Sequence, residues 1–270
     1  MLNLVTRIAA LAVLTALAVP ALAANPTGKA LGVDPDARTE SSRAARTLVV
    51  GDDVFIGDRI VTDAKGLVQI MFSDDTKLVV GPHSALLIED YLLRDNGRGG
   101  KLAINALSGT FRFITGGSAK NKYAIETPTG TIGVRGTAFD FFVTPQNTYI
   151  LQLHGTSIDC PNATPNDCAV LESACQMGIL DPQKFEVLKH TDELTGDQRA
   201  EAKEMFRLAF SQGDLMRQFR VAGAERCLRR EATSAPQGNS MSSPNEGEQK
   251  QPQQGGCDYY YSCGRDSVGP

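Results

Sequence analysis

Residues 123–143 read Tyr-Ala-Ile-Glu-Thr-Pro-Thr-Gly-Thr-Ile-Gly-Val-Arg-Gly-Thr-Ala-Phe-Asp-Phe-Phe-Val. Two strand-like runs, 123–126 and 138–143, flank a centre of Gly and Thr that carries one cation, Arg135. Pro128 has no N–H to give to a ladder and fixes its own φ, so the first run ends or changes sheets there. Gly130, Gly133 and Gly136 recur at every third position. That spacing fits backbone at positive φ, or backbone packed too closely for a Cβ. Ile132 and Val134 share one face, and Phe139, Phe141 and Val143 form another run of period two. A guanidinium in such a run calls for a carboxylate or several carbonyls around it, and Asp140 and Glu126 are the acids at hand. The expectation is a buried structural cation at Arg135; the functional alternative is a grip on a carboxylate or phosphate at the surface.

Outward from this stretch, residues 48–159 repeat the same grammar. Short runs of period two or of continuous apolar character alternate with turn chemistry such as Ser73-Asp74-Asp75, Gly81-Pro82, Gly116-Gly117 and Pro145-Gln146-Asn147. Nothing of helical period reaches ten residues there, so an all-β roll or sandwich of many short strands is expected over 47–180. In 110–115, Phe111 and Phe113 point one way and Thr110 and Arg112 the other. Residues 24–46, with Pro26, Gly28, Gly32 and Pro35, read as a leader that wraps onto the domain or is partly disordered.

Thr127, Pro128, Gly130, Ile132, Gly133, Val134, Arg135, Gly136 and Thr137 resemble the closing signature of the FecR-domain family, loosely T-P-x-(A/G)-x-I-G-(I/V)-R-G-T. The likeness continues upstream through Gly51-Asp52, Gly57-Asp58-Arg59-Ile60, the hairpin 66–76, Gly81-Pro82-His83-Ser84 and Gly109-Thr110-Phe111-Arg112. It covers about residues 46 to 156. The resemblance implies a periplasmic interaction domain whose ligand is an envelope protein or a cell-wall glycan. The family's signalling members also carry a cytoplasmic anti-sigma segment and a membrane helix, for which this sequence shows no counterpart.

The chain has 270 residues and a net charge of −4, from 27 basic and 31 acidic side chains, which invites neither a nucleic acid nor an anionic membrane. Residues 1–23 read as a cleavable signal peptide: Arg7, an apolar run over 8–19, Pro20, then Ala21-Leu22-Ala23. Loss of Arg7 leaves 26 bases against 31 acids, or −5. No second apolar stretch is long enough to span a bilayer, so export to the periplasm without a transmembrane anchor is expected. All six cysteines, Cys160, Cys168, Cys175, Cys227, Cys257 and Cys263, lie after position 159. Six cysteines allow 15 pairings; chain proximity favours Cys160–Cys168 and Cys257–Cys263, leaving Cys175–Cys227 to tie a β segment to a helical one. Their spacing does not fit a zinc knuckle.

Residues 160–192 read as loop-rich, with one further strand and turn within 168–177. Helical character begins at Thr195-Gly-Asp-Gln198, a capping-box spacing, and a hairpin of two helices is expected over 193–230, broken near Gly213. Residues 231–270 read as a disordered tail that ends in a small loop, Cys257 to Cys263, displaying three Tyr.

A search for catalysis finds no G-x-S-x-G elbow, Walker loop or G-x-G-x-x-G, and no metal spacing around His83, His154 or His190. Cys227 lacks the Ser-x-Gly-Cys context of a transpeptidase nucleophile and is expected in a disulfide. Neither cofactor nor catalytic residue is expected. The reading is an exported, non-catalytic interaction, ligand-binding or signalling module. A cell-envelope glycan or peptide hydrolase is the enzymatic alternative and needs paired carboxylates from among Glu89, Asp90, Glu126 and Asp140. A structural surface protein is the third reading, against which the lack of internal repeats argues.

Overall fold

The computed structural model describes residues 25–35, 37–41, 45–91, 102–117 and 123–229. The expected signal peptide and the tail with its Cys257–Cys263 loop lie outside them. Fifteen strands form one continuous hydrogen-bonded network: β1 (Gly28–Asp34), β2 (Ala37–Glu40), β3 (Ala45–Thr47), β4 (Asp53–Val54), β5 (Arg59–Thr62), β6 (Leu67–Phe72), β7 (Lys77–Val80), β8 (Ala85–Tyr91), β9 (Leu102–Ile114), β10 (Tyr123–Glu126), β11 (Gly130–Val143), β12 (Thr148–Pro161), β13 (Ala169–Leu171), β14 (Gln176–Leu180) and β15 (Phe185–His190). The all-β expectation holds.

Three long strands, β9, β11 and β12, turn this network into a roll. The first half of β9 lies between β8 and β10, and its second half lies between β7 and β11. β11 pairs with β10 along its first half and with β9 along its second, while β12 follows it along both. The corner falls where Gly136 (φ 64°) faces Gly155 (φ 77°) and the β11–β12 register shifts. Both are left-handed conformations that an L side chain resists. A Cβ on Gly155 would also sit 2.1 Å from the Gly136 carbonyl oxygen. Inside the roll Phe113 faces Phe139 and Phe111 faces Phe141 across the β9–β11 ladder, with Phe111 and Phe141 stacked at 5.0 Å between centroids. Full burial of such rings contributes roughly 2–3 kcal/mol each.

Two segments differ from the sequence reading. The expected leader supplies β1, β2 and β3; β1 pairs with β6, and β2 with β5. Its buried side chains are small (Ala30, Ala37, Thr39) and alternate with charged ones, so an apolar-periodicity reading has little to register. At the other end β15 adds a strand in what reads as loop, next to β14.

The second face of the sheet is covered by the helical segment. α1 (Gly196–Met205) starts with the expected capping box between Thr195 and Gln198, and α2 (Arg207–Phe210) follows. The expected second helix is replaced by two 3-10 turns, Arg217–Phe219 and Ala224–Cys227. Side chains take the backbone groups a helix would have used: Arg220 donates to the Leu215 and Gly213 carbonyls, and Gln212 Oε1 accepts from Val221 N. Ala202, Phe206, Ala209, Val221 and Leu228 pack on Ala138, Leu151, Leu153 and Met177 of the sheet.

Beneath this cap lies Arg112. It is fully buried and bonds Asp140, its partner across the β9–β11 ladder, through two parallel contacts of 2.6 and 2.8 Å. Its Nη1 also donates to Gln212 Oε1 at 2.6 Å and to the Phe219 carbonyl at 3.3 Å. Burial pushes the Asp140 carboxyl up from its usual range, opposed by the charge and hydrogen bonds of Arg112. Two disulfides form as expected, Cys160–Cys168 and Cys175–Cys227, and the second ties the cap to the sheet.

Asp140→Asn leaves a buried guanidinium without counter-charge, so its urea midpoint is expected to fall by the equivalent of about 3–5 kcal/mol, with much of the loss recovered in the Asp140→Asn/Arg112→Met double variant. Replacing Cys175 and Cys227 by Ser removes a link of 52 residues and replacing Cys160 and Cys168 one of 8. On the loop-closure model the losses are about 4 and about 2.5 kcal/mol, an order that thermal unfolding of the two double variants checks.

Candidate functional site

The signature positions divide sharply between structure and surface. Thr127 Oγ1 closes the β10–β11 turn, donating to the Gly130 carbonyl at 2.8 Å and accepting from Gly130 N at 3.1 Å. The Pro128 carbonyl accepts from Asn162 Nδ2. A Cβ on Gly130 would lie 2.3 Å from the Cys160 carbonyl oxygen, so only glycine lets β12 approach. Ile132 and Val134 enter the core. Thr137 Oγ1 donates to the His154 carbonyl and accepts from Gln152 Nε2. Each of these residues builds the fold: Thr127, Pro128 and Gly130 the β10–β11 turn, Ile132 and Val134 the core, and Thr137 the corner.

Arg135 does not. Its side chain is exposed, and it has no hydrogen bond or ion pair among the described residues. The expected buried cation is therefore Arg112, and the acid expected for Arg135, Asp140, is engaged elsewhere. Backbone parity explains the outcome: Thr131, Gly133 and Arg135 alternate with the core residues Ile132 and Val134, so Arg135 falls on the outer face. The other expected acid, Glu126, is exposed at the far end of β10, opposite Thr131.

Around Arg135 the outer face is shallow and apolar. One row runs across four strands: Ala124 beside Gly133, Gly133 beside Ile158, and Ile158 beside Val170. Gly133 leaves a floor without side chain, and Ile158 and Val170 stand 40% and 43% exposed. Arg135 and Thr156 form the next row on one side; Glu126, Thr131 and Cys160 form the border on the other. Four residues of strand, about 13 Å, separate the cationic border from the acidic one.

On its inner side β12 carries Ser157 and Asp159, both fully buried, opposite Val134 and Ile132. Ser157 Oγ donates to Asp159 Oδ2 at 2.9 Å, while Oδ1 has no hydrogen-bond partner. Burial pushes this carboxyl up to about 7, against the smaller pull of the Ser157 bond. Sequence reasoning did not single Asp159 out; its signal was an acid at the inward parity of a strand, two residues from an inward Ser.

The candidates for hydrolysis do not converge. Asp140 is sealed under the cap, Glu126 is exposed, and Glu89 accepts from Asn105 Nδ2 on the surface; the Asp90 side chain lies outside the described set. Cys227 is disulfide-bonded. His83 occupies an exposed turn at φ 55°, and both ring nitrogens of His190 are engaged, by Asp192 and the Ala174 carbonyl. Among the described residues no group of three His, Cys, Asp or Glu could hold a metal ion, and no helix is long and apolar enough to cross a membrane.

Residues 58–156 match the family model described as FecR protein. They are a FecR domain. The match starts in the turn before β5 and ends in β12, so β1 to β4, the sheet edge β13 to β15 and the cap lie outside it. Two crystal structures of a candidate anti-sigma factor from Parabacteroides distasonis, at 1.65 and 2.50 Å resolution, are similar to the chain at 13% and 14% identity. They cover 48% and 54% of it, both with a TM-score of 0.38, and the chain spans 57% and 63% of the length of those proteins. No curated protein matches the sequence.

The inner face of β12 thus holds a carboxyl with an unusual poise. The folded state keeps the Asp159 proton up to about pH 7, whereas the unfolded chain releases it near 3.8. Between those values only the unfolded state loses a proton, so stability is greatest at acid pH and falls as pH rises through that window. The slope is at most about 1.4 kcal/mol per pH unit and levels off above pH 7. Denaturant titrations from pH 4 to 8 are expected to show this decline in the native protein and a flatter profile in Asp159→Asn.

Proposed function

We propose that this is an exported, non-catalytic interaction module that works in the periplasm, and that the outer face of β10–β13 around Arg135 receives a protein partner. The observation that carries the reading is Arg135 itself. It is the one cation of a signature whose other side chains build the turn, the core and the corner, and it has no partner among the described residues, on the same face as exposed Ile158 and Val170. Arg is enriched at interface hot spots, and exposed aliphatic side chains on the same face add apolar area for a partner to cover. The two disulfides support an oxidising compartment, and the sequence of residues 1–23 supports export. A protein fits better than a cell-wall glycan, because sugars are held by stacking on aromatic rings and the exposed row of Ala124, Gly133, Ile158 and Val170 offers none.

The test places a photo-cross-linking residue at position 158 of the full chain in its native cell. Recovery of the processed chain from the periplasm, cross-linked to one discrete protein, is expected. Arg135→Glu should abolish the adduct while its unfolding midpoint stays within about 0.5 kcal/mol of the native protein, as for an exposed substitution. Recovery only from the cytoplasm, or an adduct indifferent to Arg135→Glu, overturns the reading.

A further inference from the structure

The charge of this chain is unevenly placed. Residues 207–229 hold five arginines (Arg207, Arg217, Arg220, Arg226, Arg229) and two acids (Asp214, Glu225), a net +3. The remaining positions then hold 22 basic and 29 acidic residues, a net −7. The positive segment is the second half of the cap, and there it lines a cleft of about 570 Å³. Phe210 and Ser211 at the end of α2 line it together with Arg217, Arg220 and Arg229 from the turns that follow.

The three guanidiniums are held differently. Arg217 and Arg229 are exposed, and their side chains have no partner among the described residues. Arg220 is anchored, with Nε on the Leu215 carbonyl at 2.7 Å and Nη2 on the Gly213 carbonyl at 3.0 Å. A guanidinium has five N–H donors, so this leaves three for a ligand while the group is already oriented. The acid in the cleft, Glu225, accepts from Gln212 Nε2 at 3.0 Å, and Gln212 Oε1 in turn accepts from the buried Arg112. The floor is thus fastened to the centre of the sheet. Phe210, 39% exposed, adds an apolar flank with Lys203 Nζ 4.8 Å from its ring centroid.

We infer that this cleft is a second binding site, for an extended acidic peptide segment of a partner protein. The ligand must present several oxyanions, since one anion would leave two guanidiniums unanswered. Planar guanidinium forks take carboxylates in bidentate pairs, and a run of acidic side chains supplies several at the spacing of a peptide. A cleft this size takes a ligand of several residues, not a lone phosphate. Of its lining only Phe210 is a large exposed apolar side chain, whereas an element that lies in a membrane surface needs an apolar face. The positive segment on an otherwise negative molecule also steers such a chain to this end.

The experiment uses the processed full-length protein with its disulfides intact and a fluorescent heptapeptide of six Glu around one Phe, followed by anisotropy at low and physiological salt. Saturable binding that weakens with salt is expected, about tenfold or more weaker in Arg217→Glu/Arg229→Glu and absent for the same peptide with Gln in place of Glu. Arg135→Glu should bind the peptide as the native protein does, which separates this site from the face of the FecR domain. Equal affinity in the double variant overturns the inference. So does co-sedimentation with phosphatidylglycerol vesicles in place of peptide binding, which would make the cleft a lipid contact.

Discussion

The structure turns on a fork of two hydrogen bonds between Arg112 and Asp140. Both groups are fully buried, and bringing either alone out of water would cost several kcal/mol. The pair is tolerable because its geometry is bidentate and because Gln212 and the Phe219 carbonyl take further guanidinium donors. Those two acceptors belong to the cap. Without the cap, Arg112 and Asp140 would face water as an exposed ladder pair of little worth; without the pair, the cap would keep its disulfide, its apolar layer and the Gln69 bonds but lose its buried polar anchor. The pair does not merely add stability. It selects one arrangement of the 212–221 segment, since Gln212 also receives Val221 N and donates to the Val221 carbonyl.

That choice accounts for what the sequence showed and what it hid. The β character of 48–159, the end of the first run at Pro128 and the two disulfides were legible because each has a local cause: turn residues, a proline without an N–H, chain proximity. The fate of the two arginines was not. Arg112 lies in Phe-Arg-Phe and Arg135 in Gly-Val-Arg-Gly, and both read as polar residues in a buried strand. Which of them is covered depends on where residues 196–229 dock, and no local pattern encodes that. The neighbouring strand did hold a clue, since Phe-Asp-Phe in β11 mirrors Phe-Arg-Phe in β9 and the two fall in register. Read as a matched pair, they name the buried ion pair without the cap.

The second half of the cap was misread for a related reason. The apolar stripe of Leu215, Met216 and Phe219 has helical spacing, yet Met216 is exposed and the segment forms turns. Helical propensity is a weak prior, and here tertiary contacts override it. Gln69 accepts from Met216 N and donates to the Asp214 carbonyl. A side chain from β6 therefore takes two backbone groups at the place where a second helix would begin. The early strands escaped notice because alanine and threonine bury too little surface to stand out, although Ala30 and Ala37 are as inaccessible as any core residue.

Rigidity is unevenly distributed as a result. The cap is fixed three ways: by the ion-pair network, by the Cys175–Cys227 disulfide and by the apolar layer over Leu151 and Leu153. The backbone of the arginine-lined cleft and its Arg220 are therefore preformed, and a ligand has only the Arg217 and Arg229 side chains to order. The signature face has a softer support. Beneath Ile158, the same strand places one carboxyl in an apolar interior with a single hydroxyl to bond it. Ionising that group weakens its packing against Ile132 while leaving the ladder and the Cys160–Cys168 link intact. Asp159 Oδ1 and Gln152 Oε1 are the two buried polar side-chain atoms without a partner among the described residues, and both lie on β12 rather than in the cap.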